Sequence, residues 1–133
     1  MDKKDLILVV DDNADYRELL VWTLERHGFQ TISAKCGREG LKLAIEHQPD
    51  LVLMDLNMPG MNGYEATRAI HAHPQGRRIP VVAVSADCTD DEFKHWAVKR
   101  GFFAFVAKPW NQGNLLETVM KVLARGVRNI RAA

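Results

Sequence analysis

Cysteine is scarce in this chain of 133 residues: only Cys36 and Cys88 occur, far apart and outside any CxxC spacing. That excludes a disulfide scaffold and a cysteine zinc site, and leaves two free thiols suited to a reducing cytosol. A surplus of one charge is also missing. Eighteen basic and 17 acidic residues give a net charge of +1, so no overall field draws the chain to nucleic acid or to a membrane surface. No apolar run approaches the ~20 residues of a membrane span. Met1 to Asp5 leads into a strand pattern without the apolar stretch of a signal peptide. The expectation is a cytoplasmic protein with no membrane insertion and no direct nucleic-acid contact. His27, His47, His71, His73 and His95 lack metal-ligand spacing and read as solvated residues. Internal repeats, low-complexity tracts and linkers are absent as well. What is present is 47% apolar residues, enough for one domain with a full core and too little chain for two.

Strand-like and helix-like segments alternate. Leu6–Val10, Thr31–Ala34, Leu51–Asp55, Ile79–Val84 and Phe103–Ala107 read as strands. The second is more polar and belongs near a sheet edge. Ala14–His27, Arg38–His47, Tyr64–Ala72, a segment opened by the capping-box spacing Thr89-Asp90-Asp91-Glu92, and Asn111–Arg125 read as helices. Gly28, Pro49, Pro74-Gln75-Gly76 and Gly101 punctuate them. Such alternation with short loops predicts an α/β fold: a parallel sheet covered by helices on both faces. The expected domain spans residues 1–125, and residues 126–133 form a short basic tail or the start of a connector.

The polar residues gather where the strands end. Leu6–Val10 runs into Asp11-Asp12, and Leu51–Met54 into Asp55 followed by Leu56 and Asn57. The fourth strand ends at Ser85, followed by Ala86 and Asp87, and the fifth at Lys108-Pro109. In an open α/β sheet, ligands bind beyond the carboxyl ends of the strands, where strand order reverses. One edge would then collect three carboxylates, a hydroxyl and an ammonium. Carboxylates held together repel and raise one another's pKa unless a cation lies between them. Oxygen-only ligands suit a hard cation, Mg²⁺ above all, with Mn²⁺ as a substitute. One carboxylate can also act as a nucleophile, while Lys108 and Ser85 bind phosphoryl oxygens. Phosphoryl transfer needs this combination of positioning and charge neutralisation.

Asp11-Asp12, Asp55 with Met58-Pro59-Gly60-Met61-Asn62-Gly63, Ser85-Ala86 and Lys108-Pro109 together resemble the receiver domain of two-component response regulators. The likeness covers nearly the whole chain, and five motifs in order at the right strand ends make it specific. It implies a flavodoxin-like (βα)5 fold with strand order 2-1-3-4-5; the chemotaxis member of that family is a standard example of this order. It implies that Asp55 accepts a phosphoryl group from a histidine kinase, a phosphotransfer protein or a small phosphodonor. Asp12, Asp55 and the backbone carbonyl of Asn57 would ligate Mg²⁺, with Asp11 helping through water. Lys108 would bridge to the phosphoryl group, and Ser85 would swing toward it while Phe105, at the family's switch-aromatic position, turns inward. Phe105 lacks the hydroxyl of the tyrosine often found there. Asn57 and Asp87 would set the lifetime of the phosphate, and the Lys108–Pro109 bond would be cis. Output would pass through the face of the fourth helix, fifth strand and fifth helix, where Trp96 and Trp110 are candidates for partner contact; a phosphorylation-dependent dimer is a further implied possibility.

Each residue taken singly has a plainer reading. Asp12 or Asn13 could be only a helix cap, Lys108 a surface lysine, Trp96 a core residue, and Met54, Met58 and Met61 packing. Other functions compete too. An aspartyl-nucleophile phosphatase of the same topology needs a second Asp two residues after the first, where this chain has Asn57. A flavodoxin-like cofactor binder needs a phosphate-cradling loop after the first strand, where Asp11-Asp12-Asn13 would repel phosphate. A degenerate receiver that only binds partners would not need the complete residue set.

Overall fold

The computed structural model describes residues 4–88 and 90–132, with side chains through residue 125. Ten elements alternate: β1 (Leu6–Val10), α1 (Ala14–Arg26), β2 (Gln30–Ala34), α2 (Gly37–His47), β3 (Leu51–Asp55), α3 (Gly63–Ala72), β4 (Val81–Ser85), α4 (Asp91–Val98), β5 (Phe102–Ala107) and α5 (Gln112–Ala132). The strands form one parallel sheet in the order β2-β1-β3-β4-β5. This is the flavodoxin-like fold expected from the sequence.

The near-continuous apolar strands follow from this architecture, because each central strand is buried on both faces. β3 and β4 are buried at every residue, whereas β2, at the edge, is buried only at Ala34. Alternate residues divide between two cores. Leu8, Val10, Val52, Met54, Val81 and Ala83 face α2, α3 and α4, meeting Ala44, Ala66, Ile70 and Ala97. Ile7, Val9, Leu51, Leu53, Val82 and Val84 face α1 and α5, meeting Leu20, Leu24, Leu115 and Val119. Truncating one of the buried leucines to alanine would cost roughly 2–5 kcal/mol.

Helix boundaries show where local chemistry decides. α1 is capped by Asn13, whose side chain accepts from the Tyr16 amide at 3.0 Å. A full capping box opens α3: Asn62 accepts from the Glu65 amide at 2.9 Å, and Glu65 accepts from the Asn62 amide at 3.2 Å. The box read at the start of α4 falls on Thr89, outside the described residues; Asp90 caps that helix by accepting from the Phe93 amide at 2.7 Å. α5 continues to Ala132, beyond the end at Arg125 read from the sequence, and the basic side chains of that last stretch lie outside the described residues. β4 begins at Val81 rather than Ile79, since Ile79 and Pro80 form the approach to the strand.

β5 carries a bulge. Val81 pairs with Phe102 but Val82 pairs with Ala104, so Phe103 is the extra residue. Phe102 and Phe105 consequently face the α2–α4 side, and Phe103 and Ala104 both face the α1–α5 side.

Candidate functional site

From β1 the chain passes outward to β2, and from β2 it returns across to β3 on the other side. The crevice at this reversal opens at the carboxyl ends of β1 and β3. Val10 pairs with Met54, so the next residue on each strand, Asp11 and Asp55, leaves the sheet at the same level. Ser85 ends β4 and pairs with Ala107 of β5, which brings Lys108 beside them. The Lys108 amide donates to the Ser85 carbonyl at 3.1 Å, and the Lys108–Pro109 peptide bond is cis.

The ammonium of Lys108 lies between two carboxylates, 2.9 Å from Asp11 Oδ2 and 3.4 Å from Asp55 Oδ1. Asp11 is wholly buried and Asp55 only 4% exposed, while Asp12 is exposed. Burial is the main cause that raises the Asp55 carboxyl to about 6 from an ordinary 3.8. Repulsion from Asp11 adds to it, and Lys108 opposes it. Burial alone would lower the Lys108 pKa, but its contacts with Asp11 and Asp55 outweigh that and leave it raised. Lysine is therefore fully charged here at neutral pH.

Carboxylate oxygens of Asp11, Asp12 and Asp55 lie within 4.8 Å of one another. With all three ionised, one ammonium leaves the cluster two charges negative. An all-oxygen donor set with that charge fits a hard divalent cation. The plain reading of Asp12 as a cap does not hold, because Asn13 performs that task.

A second polar group adjoins the first. The Asn57 amide nitrogen of the backbone donates to Asp55 Oδ1 at 3.3 Å. Its side-chain Nδ2 reaches Ser85 Oγ at 3.5 Å and Asp87 Oδ2 at 3.4 Å, both long contacts. The Asp87 backbone amide donates to Ser85 Oγ at 3.2 Å. Asn57, Ser85 and Asp87 thus flank Asp55 on the side away from Asp11. Phe105 is half-buried on the same side of the sheet as α4.

Several site residues were not read from the sequence. Arg17 Nη1 donates to the Asp11 carbonyl at 2.8 Å. The Asn13 amide donates to Asp11 Oδ1 at 2.9 Å. Lys108 Nζ sits 4.4 Å from the centroid of the Tyr16 ring, a cation–π contact that fixes its direction. Arg17 and Tyr16 are one helical turn beyond the acidic pair, a proximity that spacing could have suggested; the Tyr16–Lys108 contact across the chain had no local signal.

Of the two tryptophans read as candidates for partner contact, Trp110 needs correction, while Trp96 takes the core position that was its plainer reading. Trp110 packs on Tyr16, with ring centroids 5.4 Å apart, on the α1–α5 side, so it does not share a face with Trp96. Trp96 lies edge-on to Tyr64 at 4.8 Å and beside Phe93 at 5.9 Å, facing the core toward α3. His71 is also not simply solvated: its Nε2 lies 2.9 Å from the Ile79 carbonyl and ties α3 to the approach of β4.

Comparison with known proteins agrees with this geometry. The family model for the response regulator receiver domain matches residues 7–120. PilH of Pseudomonas aeruginosa is 38% identical over 118 residues, covering 89% of this chain and 97% of PilH. The chemotaxis protein CheY4 of Vibrio cholerae superimposes with a TM-score of 0.84 at 30% identity, covering 90% of this chain and 99% of that one. The receiver domain of the sensor histidine kinase PA1611 from Pseudomonas aeruginosa does so at 0.83 and 26% identity, covering 92% and 99%; that structure has a magnesium ion coordinated in its active-site cleft.

Proposed function

The chain belongs to the response regulator receiver family of two-component signalling, and from that premise we propose that it is a switch whose phosphoacceptor is Asp55. Receiver domains work with histidine kinases and downstream effectors; the donor here would be the phosphohistidine of a kinase or of a phosphotransfer protein. The observation that carries the reading is the Lys108 ammonium 3.4 Å from Asp55 Oδ1 at the mouth of the crevice. An Asp55 oxygen attacks phosphorus, the phosphorus–nitrogen bond breaks, and the imidazole leaves with the electron pair. Lys108 stabilises charge on the transferred oxygens. Ser85 donates its hydroxyl to another of them, and Phe105 follows it inward. Later attack by water on phosphorus releases inorganic phosphate and restores the Asp55 carboxylate. Asn57 and Asp87 flank that approach and set its rate.

Asp12, Asp55 and the Asn57 carbonyl would hold Mg²⁺, or Mn²⁺ in its place. When bound, the ion neutralises the phosphoryl oxygens and the carboxylate cluster. Both Asp11 oxygens are already engaged, by the Asn13 amide and by Lys108, which supports an indirect role for Asp11. The phosphatase alternative is weaker, because Asn57 carries an amide where that chemistry needs an acid. The chain is accordingly a signalling module rather than an enzyme acting on a separate substrate, and it works in the cytoplasm.

For output, the α4–β5–α5 face offers a groove of about 320 Å³ lined by Lys94, Phe103, Phe105, Lys121 and Arg125. Aromatic and basic side chains together suit a partner segment of mixed apolar and acidic character, or a second copy once phosphorylated. Incubation with a small phosphodonor and Mg²⁺, followed by intact mass measurement, is the test. One added phosphoryl group is expected, absent in Asp55→Asn and in chelator. A gain that persists in Asp55→Asn would refute the assignment.

A further inference from the structure

Between α3 and α4 the surface opens into a groove of about 790 Å³, lined by Tyr64, Glu65, Arg68, His71, Lys99, Arg100 and Gly101 among others. It shares no residue with the acidic cluster. Its volume falls within the range of small-molecule sites. In a chain whose net charge is only +1, Arg68, Lys99 and Arg100 place three positive charges here against the single carboxylate of Glu65. Among the described residues, none of the three has a carboxylate within 4.0 Å.

Two features make the groove more than a solvated basic patch. Arg100 is held in place: its guanidinium lies 3.8 Å from the centroid of the Trp96 ring, and Nη1 donates to the Trp96 carbonyl at 3.2 Å. Trp96 is in turn braced edge-on by Tyr64. A guanidinium fixed with donors to spare is pre-organised for phosphate oxygens. His71 supplies the opposite polarity. Its Nε2 lies 2.9 Å from a carbonyl, which only accepts, so Nε2 donates there and, in the neutral ring, Nδ1 carries the lone pair. Gly101, at φ +96°, lets that nitrogen approach; a Cβ there would lie 2.9 Å from Nδ1. The groove thus joins donors for phosphate, acceptors for hydroxyl or amino groups at His71 and Glu65, and a Tyr64 ring with guanidinium planes that stack on flat rings.

We propose that this α3–α4 groove binds a phosphate-bearing planar-ring ligand of mononucleotide size, independently of the phosphoacceptor. Arg68, Lys99 and Arg100 hold the phosphate, and His71 and Glu65 accept from the organic part. The test uses Asp55→Asn protein in chelator, which removes chemistry at the acidic cluster, titrated with AMP, adenosine and inorganic phosphate by calorimetry and NMR. Saturable AMP binding in the sub-millimolar range is expected, with shifts at the Trp96 indole and the Gly101 amide. Adenosine and inorganic phosphate should each bind at least about tenfold more weakly, the factor expected for losing a charge-assisted contact. Arg68→Gln should weaken AMP by about the same factor. Lys99→Gln, at an exposed residue that ends α4 and leaves the core untouched, is a second variant and should do likewise. No saturation by about 10 mM AMP, equal binding of either fragment, or AMP binding unaffected by both substitutions would overturn the proposal.

Discussion

Replacing Asp55 with asparagine should make the metal-free protein more stable, not less. Asp55 is 4% exposed, and its carboxyl is raised to about 6 from an ordinary 3.8. At about 1.36 kcal/mol per unit, holding the charged form in the fold costs up to ~3 kcal/mol at neutral pH. Asparagine removes that cost and keeps an oxygen for the Asn57 amide. It gives up only the longer of the two Lys108 contacts, 3.4 Å against 2.9 Å to Asp11. A net gain of ~1–2 kcal/mol remains, which for a domain of this size raises Tm by about 4–8 °C. The sign with pH follows from linkage. Below the unfolded value of 3.8 both states bind the proton, and wild type and variant should match. As pH rises through about 6 the folded wild type must give up a proton it holds more tightly than the unfolded chain does, so its stability relative to the variant falls. The measurement is thermal melting in EDTA at pH 4 and 7.5. Equal or lower Tm for Asp55→Asn at pH 7.5, or a gap that does not change with pH, would refute the reasoning. Mg²⁺ at a hundred times its Kd should then stabilise wild type by about 2.7 kcal/mol and leave the variant unchanged.

Three other perturbations test neighbouring parts of the argument. Lys108→Ala leaves Asp11 and Asp55 facing each other without a cation; a loss of roughly 2–4 kcal/mol in urea melts at pH 7.5 is expected, with much of it recovered at pH 5, where Asp55 protonates. Gly63→Ala places a Cβ against the Asp55 carbonyl oxygen and 2.8 Å from the Leu56 Cα, so it should destabilise by about 2–4 kcal/mol and slow phosphorylation, read by melting and intact mass. Cys88 is 4% exposed and burial pushes its thiol up to about 11; a disulfide reagent on native protein should label Cys36 at least ~100-fold faster than Cys88, with the difference lost in denaturant.

Most of the fold was legible because this architecture writes itself into apolar runs. Strands buried on both faces read as Leu6–Val10 and Leu51–Met54, and the polar edge strand at Thr31–Ala34 gave its position away. The acidic cluster was legible for the same reason: Asp11 and Asp55 each follow the last apolar residue of a strand, and parallel pairing brings such residues to one level. What escaped was contact between residues with no shared periodicity. Trp110 was assigned by its neighbours in the chain to the output face, yet Tyr16 draws it to the opposite side. The Asn62–Glu65 capping box was hidden inside a turn-rich loop, while the Thr89 spacing advertised one more loudly. Spacing alone does not decide which residue adopts the extended conformation of a cap.

Phe105 reaches the α4 side of the sheet through an accident of parity. Strict alternation from Phe102 would send a residue three places along to the opposite wall; the surplus residue at Phe103 restores the count. Drawing Phe103 back into regular pairing would slip everything downstream by one: Phe105 would come opposite Val84, which faces α1 and α5, and the aromatic ring would turn with it, leaving Ala104 on the α4 side in its place. Whether this chain can couple events at Asp55 to its distant helices therefore depends on an odd-or-even count in a strand that contributes no carboxylate at all.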